Sequence, residues 1–251
     1  MSELLVKSWV EDDIAVIQLD RPKANAITYE VACQLETCLE EIFSSQAKAI
    51  VATGNGNFFS GGLDLREVPE YSAKEQHDFL QVINRVITRL YCCAVPLIGA
   101  VNGHAIAAGF IFALTADYRI GPETDALFGL TEARVGIPFP AAAMEILKAE
   151  LSPSDVRYST LSALNYGPAD ALRRGVFDEL AANADVLARG LEVARDHASM
   201  PADAYCRIKT QVRGEAMEKL HRLNQEESDP MLDAWISPDA SSASSAVLDG
   251  H

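Results

Sequence analysis

The chain has 251 residues, with 49% apolar and 23% charged side chains, a balance that predicts one main domain with an appendage and no disorder outside the last stretch. Its formal net charge is −15, a field that repels phosphate backbones and anionic lipid and argues against nucleic acid or a membrane surface as a partner. The five cysteines (Cys33, Cys38, Cys92, Cys93 and Cys206) form an odd set without a CxxC pair, which points to reduced thiols rather than a disulfide framework or a zinc site.

Residues 1–13 lack the basic start and apolar stretch of a secretory signal, so a cytoplasmic location is expected. Ile14 to Leu19 is a dense apolar run ended by Asp20-Arg21-Pro22, the pattern of a strand leading into a loop. A helix is predicted from about Thr28, because Val31, Leu35, Cys38, Leu39 and Ile42 recur at steps of three and four and make one stripe. Ala49 to Thr53 reads as a buried strand stopped by Gly54-Asn55-Gly56. Ser72 and Glu75 have the spacing of a capping box, and Phe79, Ile83, Val86 and Leu90 carry the helix that follows toward Pro96. Leu97 to Val101 and Asp117 to Ile120 are further strands, and Ser152-Pro153 and Gly167-Pro168 each open a helix with proline in its first turn. Strand and helix alternate as in a layered α/β protein. From about Leu187 the chain reads as helical to Asn224, the serine- and alanine-rich stretch 237–251 is expected to be mobile, and no sequence repeat stands out at periods of twenty to fifty residues.

Two segments join a strand to a helix through small residues: Phe58-Phe59-Ser60-Gly61-Gly62-Leu63-Asp64-Leu65 and Asn102-Gly103-His104-Ala105-Ile106-Ala107-Ala108-Gly109. Small side chains let a substrate approach the main chain near a helix N-terminus, the setting an oxyanion needs. The chain has no GxSxG, HExxH or Walker lysine motif, Gly54-Asn55-Gly56 does not continue as GxGxxG, and His77, His197, His221 and His251 are scattered without metal-ligand spacing.

These two segments resemble the oxyanion loops of the crotonase (enoyl-CoA hydratase/isomerase) superfamily, the second running on through Asp117-Tyr118-Arg119-Ile120. Arg21-Pro22 through Asn25-Ala26 is similar to the turn after that family's first strand, and Gly167-Pro168-Ala169 through Asp178-Glu179 to its late helix end. The resemblance implies an α/β fold, a crotonase-type spiral of ββα units over residues 1–190. It further implies a helical C-terminal oligomerisation region over 191–236, with Tyr205, Ile208, Val212, Leu220 and Leu223 buried between subunits of a homotrimer or a dimer of trimers. It implies that the amides of Leu63 and Ala108 point at the thioester carbonyl oxygen of an acyl-CoA. Lys23, Ala24, Ala26, Ser60, Gly61 and Arg66 would bind the CoA moiety, with Lys23 and Arg66 available to its phosphates. No separate cofactor or metal is implied, since coenzyme A enters as part of the substrate.

Hydratases of this family use two glutamates. The place of the first holds Ile111 here, and the second matches Glu132 in Phe128-Gly129-Leu130-Thr131-Glu132. With an apolar residue in place of its partner, Glu132 should be desolvated and its pKa raised toward the range suited to proton exchange. This pattern is similar to the Δ3,Δ2-enoyl-CoA isomerases, and isomerisation of an unsaturated acyl-CoA by Glu132 is the expected activity. The alternatives are hydration, thioester hydrolysis or decarboxylation on the same loops, and a non-catalytic acyl-CoA-binding homologue. A structural role for Glu132 would have it pair with Arg134 or cap a strand end. His104 is open to either a packing or a catalytic role, and Glu145 could face either an acyl pocket or solvent.

Overall fold

The computed structural model describes residues 4–227 and 229–230; the expected tail at 237–251 lies outside them. The chain opens with an antiparallel hairpin of β1 (Val6–Glu11) and β2 (Ile14–Leu19). Its turn residues Asp12 and Asp13 both have positive φ, 50° and 65°, as a two-residue hairpin turn requires. The sequence pattern does not reveal β1, because only Val6 of its six residues is buried and it carries no apolar alternation.

Helix α1 (Tyr29–Phe43) is capped by the Thr28 hydroxyl, which accepts the Val31 amide, and it buries Val31, Leu35, Cys38, Leu39 and Ile42 as its periodicity requires. Then come β3 (Ala49–Gly54), β4 (Phe58–Ser60) and α2 (Ala73–Tyr91), whose Ser72–Glu75 capping box is complete. The pattern continues with β5 (Leu97–Ala100), β6 (His104–Ile106) and α3 (Ala108–Leu114), and again with β7 (Tyr118–Pro122), β8 (Phe128–Gly129) and α4 (Glu132–Val135). Helices α5 (Ala141–Glu150), α6 (Pro153–Ser162) and α7 (Pro168–Arg173) lead to β9 (Glu179–Ala181), α8 (Val186–Ala198) and the long α9 (Ala202–Glu226).

The strands form two sheets. One has the order β1-β2-β3-β5-β7-β9 and is parallel after its first pair; the other has the order β4-β6-β8 and is parallel throughout. Each ββα unit thus adds one strand to each sheet before its helix, giving a spiral that repeats in structure without repeating in sequence. Side chains alternate across the large sheet. Ile14, Val16, Val51, Ile98, Ala100 and Ile120 face α8 through Val186, Val193 and Ala194, whereas Ala15, Ile17, Ile50 and Leu97 face the main core with Leu35, Leu39, Phe79 and Leu90.

The expected boundary at 190 falls inside α8. Helix α9 packs on α2 and α5 and buries Ala216, Met217 and Leu220. Leu220 is fully buried within this chain, which corrects its expected place between subunits: twelve residues separate it from Ile208, and at 3.6 residues per turn that carries it about 120° around the helix. Ile208 and Val212 remain 58% and 80% exposed.

Candidate active site

The small parallel sheet brings three segments of the chain to one edge. β4, β6 and β8 are neighbours in register, Ser60 beside Ala105 and Ala105 beside Phe128, with Ile106 beside Gly129. Their C-terminal ends run directly into Gly61-Gly62-Leu63, Ala107-Ala108 and Leu130-Thr131-Glu132. Strands in such a sheet lie about 5 Å apart, so these three continuations start side by side although they are separated by up to 70 positions in the chain.

Both glycine-rich loops hold their backbones in the left-handed region one residue before a predicted donor. Gly62 has φ +86° ahead of Leu63, and Ala107 has φ 53° and ψ −124° ahead of Ala108. A side chain other than glycine is rarely found there, so Ala107 stores local strain of the kind that gathers at functional sites. The loops also touch main chain to main chain. A Cβ on Gly62 would lie 2.8 Å from the Ile106 carbonyl and 2.9 Å from the Ala107 Cβ, and one on Gly109 would lie 2.2 Å from the Ser60 carbonyl.

Hydrogen bonds fix everything around the two donors. Ile27 donates to the Gly62 carbonyl at 2.8 Å, Asp64 donates to the Ile27 carbonyl at 3.0 Å, and Ala107 donates to the Gly129 carbonyl at 2.8 Å. The Gly62 amide donates to Ser60 Oγ at 3.2 Å. Among the described residues, the amides of Leu63 and Ala108 have no acceptor. Two held but unengaged N–H groups at the ends of neighbouring strands can donate to a ligand, and a developing oxyanion requires donors of this kind.

Glu132 opens α4 and is 8% exposed. Its Oε2 is buried without a hydrogen-bond partner among the described residues. Burial disfavours the ionised form and pushes its carboxyl up to about 7, against the opposing pull of the Glu132 and Thr131 amides. The expected rise is present, and its cause is desolvation by burial. Arg134 does not pair with Glu132: its guanidinium donates to the carbonyls of Ala163 at 2.5 Å and Ser162 at 3.4 Å.

The other predicted positions separate into main-chain and side-chain groups. The Ala24 carbonyl accepts the Gly61 amide at 2.8 Å, joining the loop after β2 to the loop after β4, and Ala26 is half-buried beside it. Ser60 is fully buried and its hydroxyl donates to the Asn25 carbonyl at 2.9 Å, so its side chain serves the loop framework. Lys23 and Arg66 are exposed, and the Arg66 amide donates to Asp64 Oδ1 at 3.0 Å. His104 packs within the framework: Nδ1 accepts the Leu127 amide at 3.1 Å, and the ring lies 4.6 Å from Phe58. Glu145 pairs with Lys148 and Lys219, both at 3.3 Å.

Several framework residues lie inside the quoted motifs, but the sequence gives no sign of their role. Asn25, buried at positive φ, donates to the carbonyls of Asn55 and Phe58 at 3.0 and 2.7 Å. Asn102 accepts the Gly54 amide at 2.8 Å and donates to the Gly56 carbonyl at 2.8 Å. Arg21 pairs with Asp64 at 2.7 Å. An asparagine or arginine at a strand end is an ordinary turn residue until the partner carbonyls are located.

A cavity of about 830 Å³ between α5 and α9 is lined by Glu145 but by neither Glu132, Leu63 nor Ala108. Another of about 590 Å³ is lined from Ala133 onward by α4, α5 and α6. Among the described residues no cluster of three or more His, Cys, Asp or Glu could hold a metal ion, and no helix is long and apolar enough to cross a membrane.

The sequence profile of the enoyl-CoA hydratase/isomerase family matches residues 10–243. The chain belongs to this family, whose members are enzymes of the crotonase superfamily. Carnitinyl-CoA dehydratase of Escherichia coli K12 is 33% identical over 184 residues, covering 72% of this chain and 70% of that protein. An apo structure of an enoyl-CoA isomerase from Mycobacterium tuberculosis is 29% identical, with a TM-score of 0.82 over 88% of this chain and 96% of that one. An enoyl-CoA hydratase from Mycobacterium ulcerans Agy99 is 28% identical, with a TM-score of 0.85 over 93% of this chain and all of that one.

Proposed function

We propose that this enzyme isomerises an unsaturated acyl-CoA, with Glu132 moving a proton between two carbons while the amides of Leu63 and Ala108 hold the enolate oxygen. The observation that carries this reading is a buried carboxyl, pushed up to about 7 and bare at one oxygen, and two unengaged amides, all three on the continuations of neighbouring strands. Glu132 takes a proton from C2 of a 3-enoyl thioester. The electron pair spreads through the carbonyl onto the oxyanion, and the same carboxyl returns the proton at C4. A carboxyl titrating near neutrality suits both halves of the exchange. Each amide is expected to contribute about two to three orders of magnitude in rate. A buried Ile111 in place of a second carboxylate leaves nothing there to hold a nucleophilic water.

In this reading the CoA moiety runs along the loops of Lys23, Ala24 and Ala26 and of Ser60, Gly61 and Arg66. The exposed Lys23 and Arg66 are free to approach its phosphates. The exposed face of α9 at Ile208 and Val212 fits a contact between subunits of a trimer or a dimer of trimers.

Hydration is the second reading, favoured by the names of two relatives, a dehydratase and a hydratase. Paired turnover on 3-hexenoyl-CoA and crotonyl-CoA separates the two. Isomerisation that far exceeds hydration, and that falls by about two to four orders of magnitude in Glu132→Gln, is the expected result. Dominant hydration would mean that another group holds the water and that Ile111 does not decide the chemistry.

A further inference from the structure

Strand β1 closes one side of the six-stranded sheet, and among the described residues no strand pairs with its outer edge. Which backbone groups point outward follows from the hairpin. The Asp20 amide donates to the Leu5 carbonyl at 2.9 Å, and Glu11 faces Ile14 across the two-residue turn. Leu5, Lys7, Trp9 and Glu11 therefore turn their N–H and C=O groups toward β2, and Val6, Ser8 and Val10 turn theirs away from it. The Val6 amide donates to Gln34 Oε1 of α1 at 3.2 Å, which closes the edge at that end. The stretch from Lys7 to Glu11 is exposed throughout, and Ser8 and Val10 form its open part.

An open edge is a template for another strand unless its charges forbid the pairing. Here they match. Lys7-Ser8-Trp9-Val10-Glu11 has a cation at one end, an anion at the other and a large ring between them. Laid antiparallel on a second copy about a two-fold axis at Trp9, Ser8 exchanges hydrogen bonds with the second copy's Val10, and Val10 with its Ser8. Lys7 then stands opposite the second copy's Glu11 on both sides, and the two Trp9 rings meet in the closer, non-hydrogen-bonded pair. A slip of two residues keeps the backbone phase but sets Lys7 or Glu11 against Trp9, so charge selects the first register. Lys7 also pairs with Asp20, and Glu11 with Arg195 at 2.7 Å; an ammonium with three donors and a carboxylate with two oxygens have capacity for a second partner.

The same register covers the apolar side chains that β1 leaves bare. Opposite residues of paired strands lie on one face, so Val10, 59% exposed, comes to rest over Ser8 of the other copy. There a groove of about 390 Å³ is lined by Leu4, Val6 and Ser8 and by Cys33, Thr37 and Cys38 of α1. Trp9, 36% exposed on the opposite face, is covered by its mate. We propose that β1 is a contact between two copies of this chain, which joins their six-stranded sheets edge to edge through residues 7–11. The contact is independent of the reaction read above. Because a two-fold contact takes chains in pairs, it admits a dimer of trimers and excludes an isolated trimer.

Sedimentation velocity of the full chain over a dilution series tests it, at about 0.15 M salt, where the repulsion between two chains of charge −15 is screened beyond about 8 Å. Wild type should sediment as an even number of chains. Val10→Pro removes an outward amide without touching the β1–β2 ladder, a change that edge strands accept, and it should raise the dissociation constant of the pairing at least about thirtyfold by taking out two hydrogen bonds. Lys7→Glu sets like charges opposite each other twice and should raise it at least about tenfold. The swap Lys7→Glu with Glu11→Lys should restore it. The intrachain ion pairs that these changes disturb are exposed and contribute little to stability, so each variant should keep the wild-type circular dichroism spectrum. A wild-type particle with an odd number of chains, one included, would overturn the proposal, and a particle of three would do so while leaving the α9 contact standing. An unchanged dissociation constant in folded Val10→Pro, or a swap that pairs no better than Lys7→Glu alone, would overturn it too.

Discussion

The Asp117–Glu150 cluster and the Glu132 site both hold buried carboxylates, and they treat them in opposite ways. Between α5, α9 and the start of β7, Asp117 accepts from Arg213 at 2.7 Å, Lys209 at 2.8 Å, the Leu97 amide at 2.8 Å and the Tyr205 hydroxyl at 3.1 Å. Glu150 accepts from Arg119 at 2.7 Å, Arg213 at 2.9 Å and the Tyr91 hydroxyl at 2.9 Å. Arg119 Nε is the one atom of this network without a partner among the described residues. Glu132, as deeply buried, has a bare oxygen and no cation. A buried charge is tolerated when donors surround it, so the saturated cluster reads as architecture and the unsaturated carboxyl as a group kept for a ligand.

The contrast breaks most severely at Asp117. Asp117→Asn keeps the shape but turns an acceptor into a donor facing Lys209 and Arg213, and it should cost about 3–5 kcal/mol, as removing one partner of a buried ion pair does. Urea unfolding at pH 7 measures it. A loss under about 1 kcal/mol would mean that water relieves the cluster and that it is not a sealed structural unit.

Glu132→Gln should move stability the other way. The folded-state pKa lies above the unfolded value, so wild-type stability is greatest below about 4.5 and is lost as pH rises through about 7. At pH 8 the neutral glutamine should therefore be more stable by on the order of 3 kcal/mol, and the gap should close as pH falls toward 4.5. Two carboxylates neutralised with opposite signs would establish the distinction; a destabilised Glu132→Gln at pH 8 would erase it.

The same titration sharpens the mechanism. Proton abstraction needs the carboxylate, so kcat/KM for isomerisation should rise about tenfold between pH 6 and pH 8, with its midpoint near 7. A profile flat over this range would mean that ligand-free burial of Glu132 does not set the base that acts.

Neither the saturated cluster nor the bare carboxyl could be read fully from the sequence, for different reasons. Helices α1 and α2 announced themselves through long stripes and the Ser72–Glu75 box, and β2, β3 and β5 through apolar runs. β4, β6 and β8 have two or three residues each, too few to show a period, yet they place every candidate group. The Asp117 cluster includes a direct pair 96 positions apart, Asp117 and Arg213, and each of its charges, read alone, looks like a solvated one. Glu132 stands between Thr131, Ala133 and Arg134, with no local sign of burial. Only the motif resemblance singled it out, and only the fold explains its high pKa.

The smallest expected effect concerns His104, a titratable ring inside the second loop. Its Nδ1 accepts the Leu127 amide and its ring rests on Phe58, so it ties β6 to the segment before β8. Leu127 is 44% exposed, which lets water take over its amide when the ring is removed. His104→Ala should therefore cost about 1 kcal/mol in stability and change kcat for isomerisation less than about threefold, with the midpoint of the pH profile unmoved. An acid or base would instead be worth about a hundredfold or more and would shift that midpoint. A loss of that size would bring a side chain of the second loop into the reaction and leave Glu132 as one of two proton carriers, whereas a small loss with a fixed midpoint confines that loop's part to its backbone.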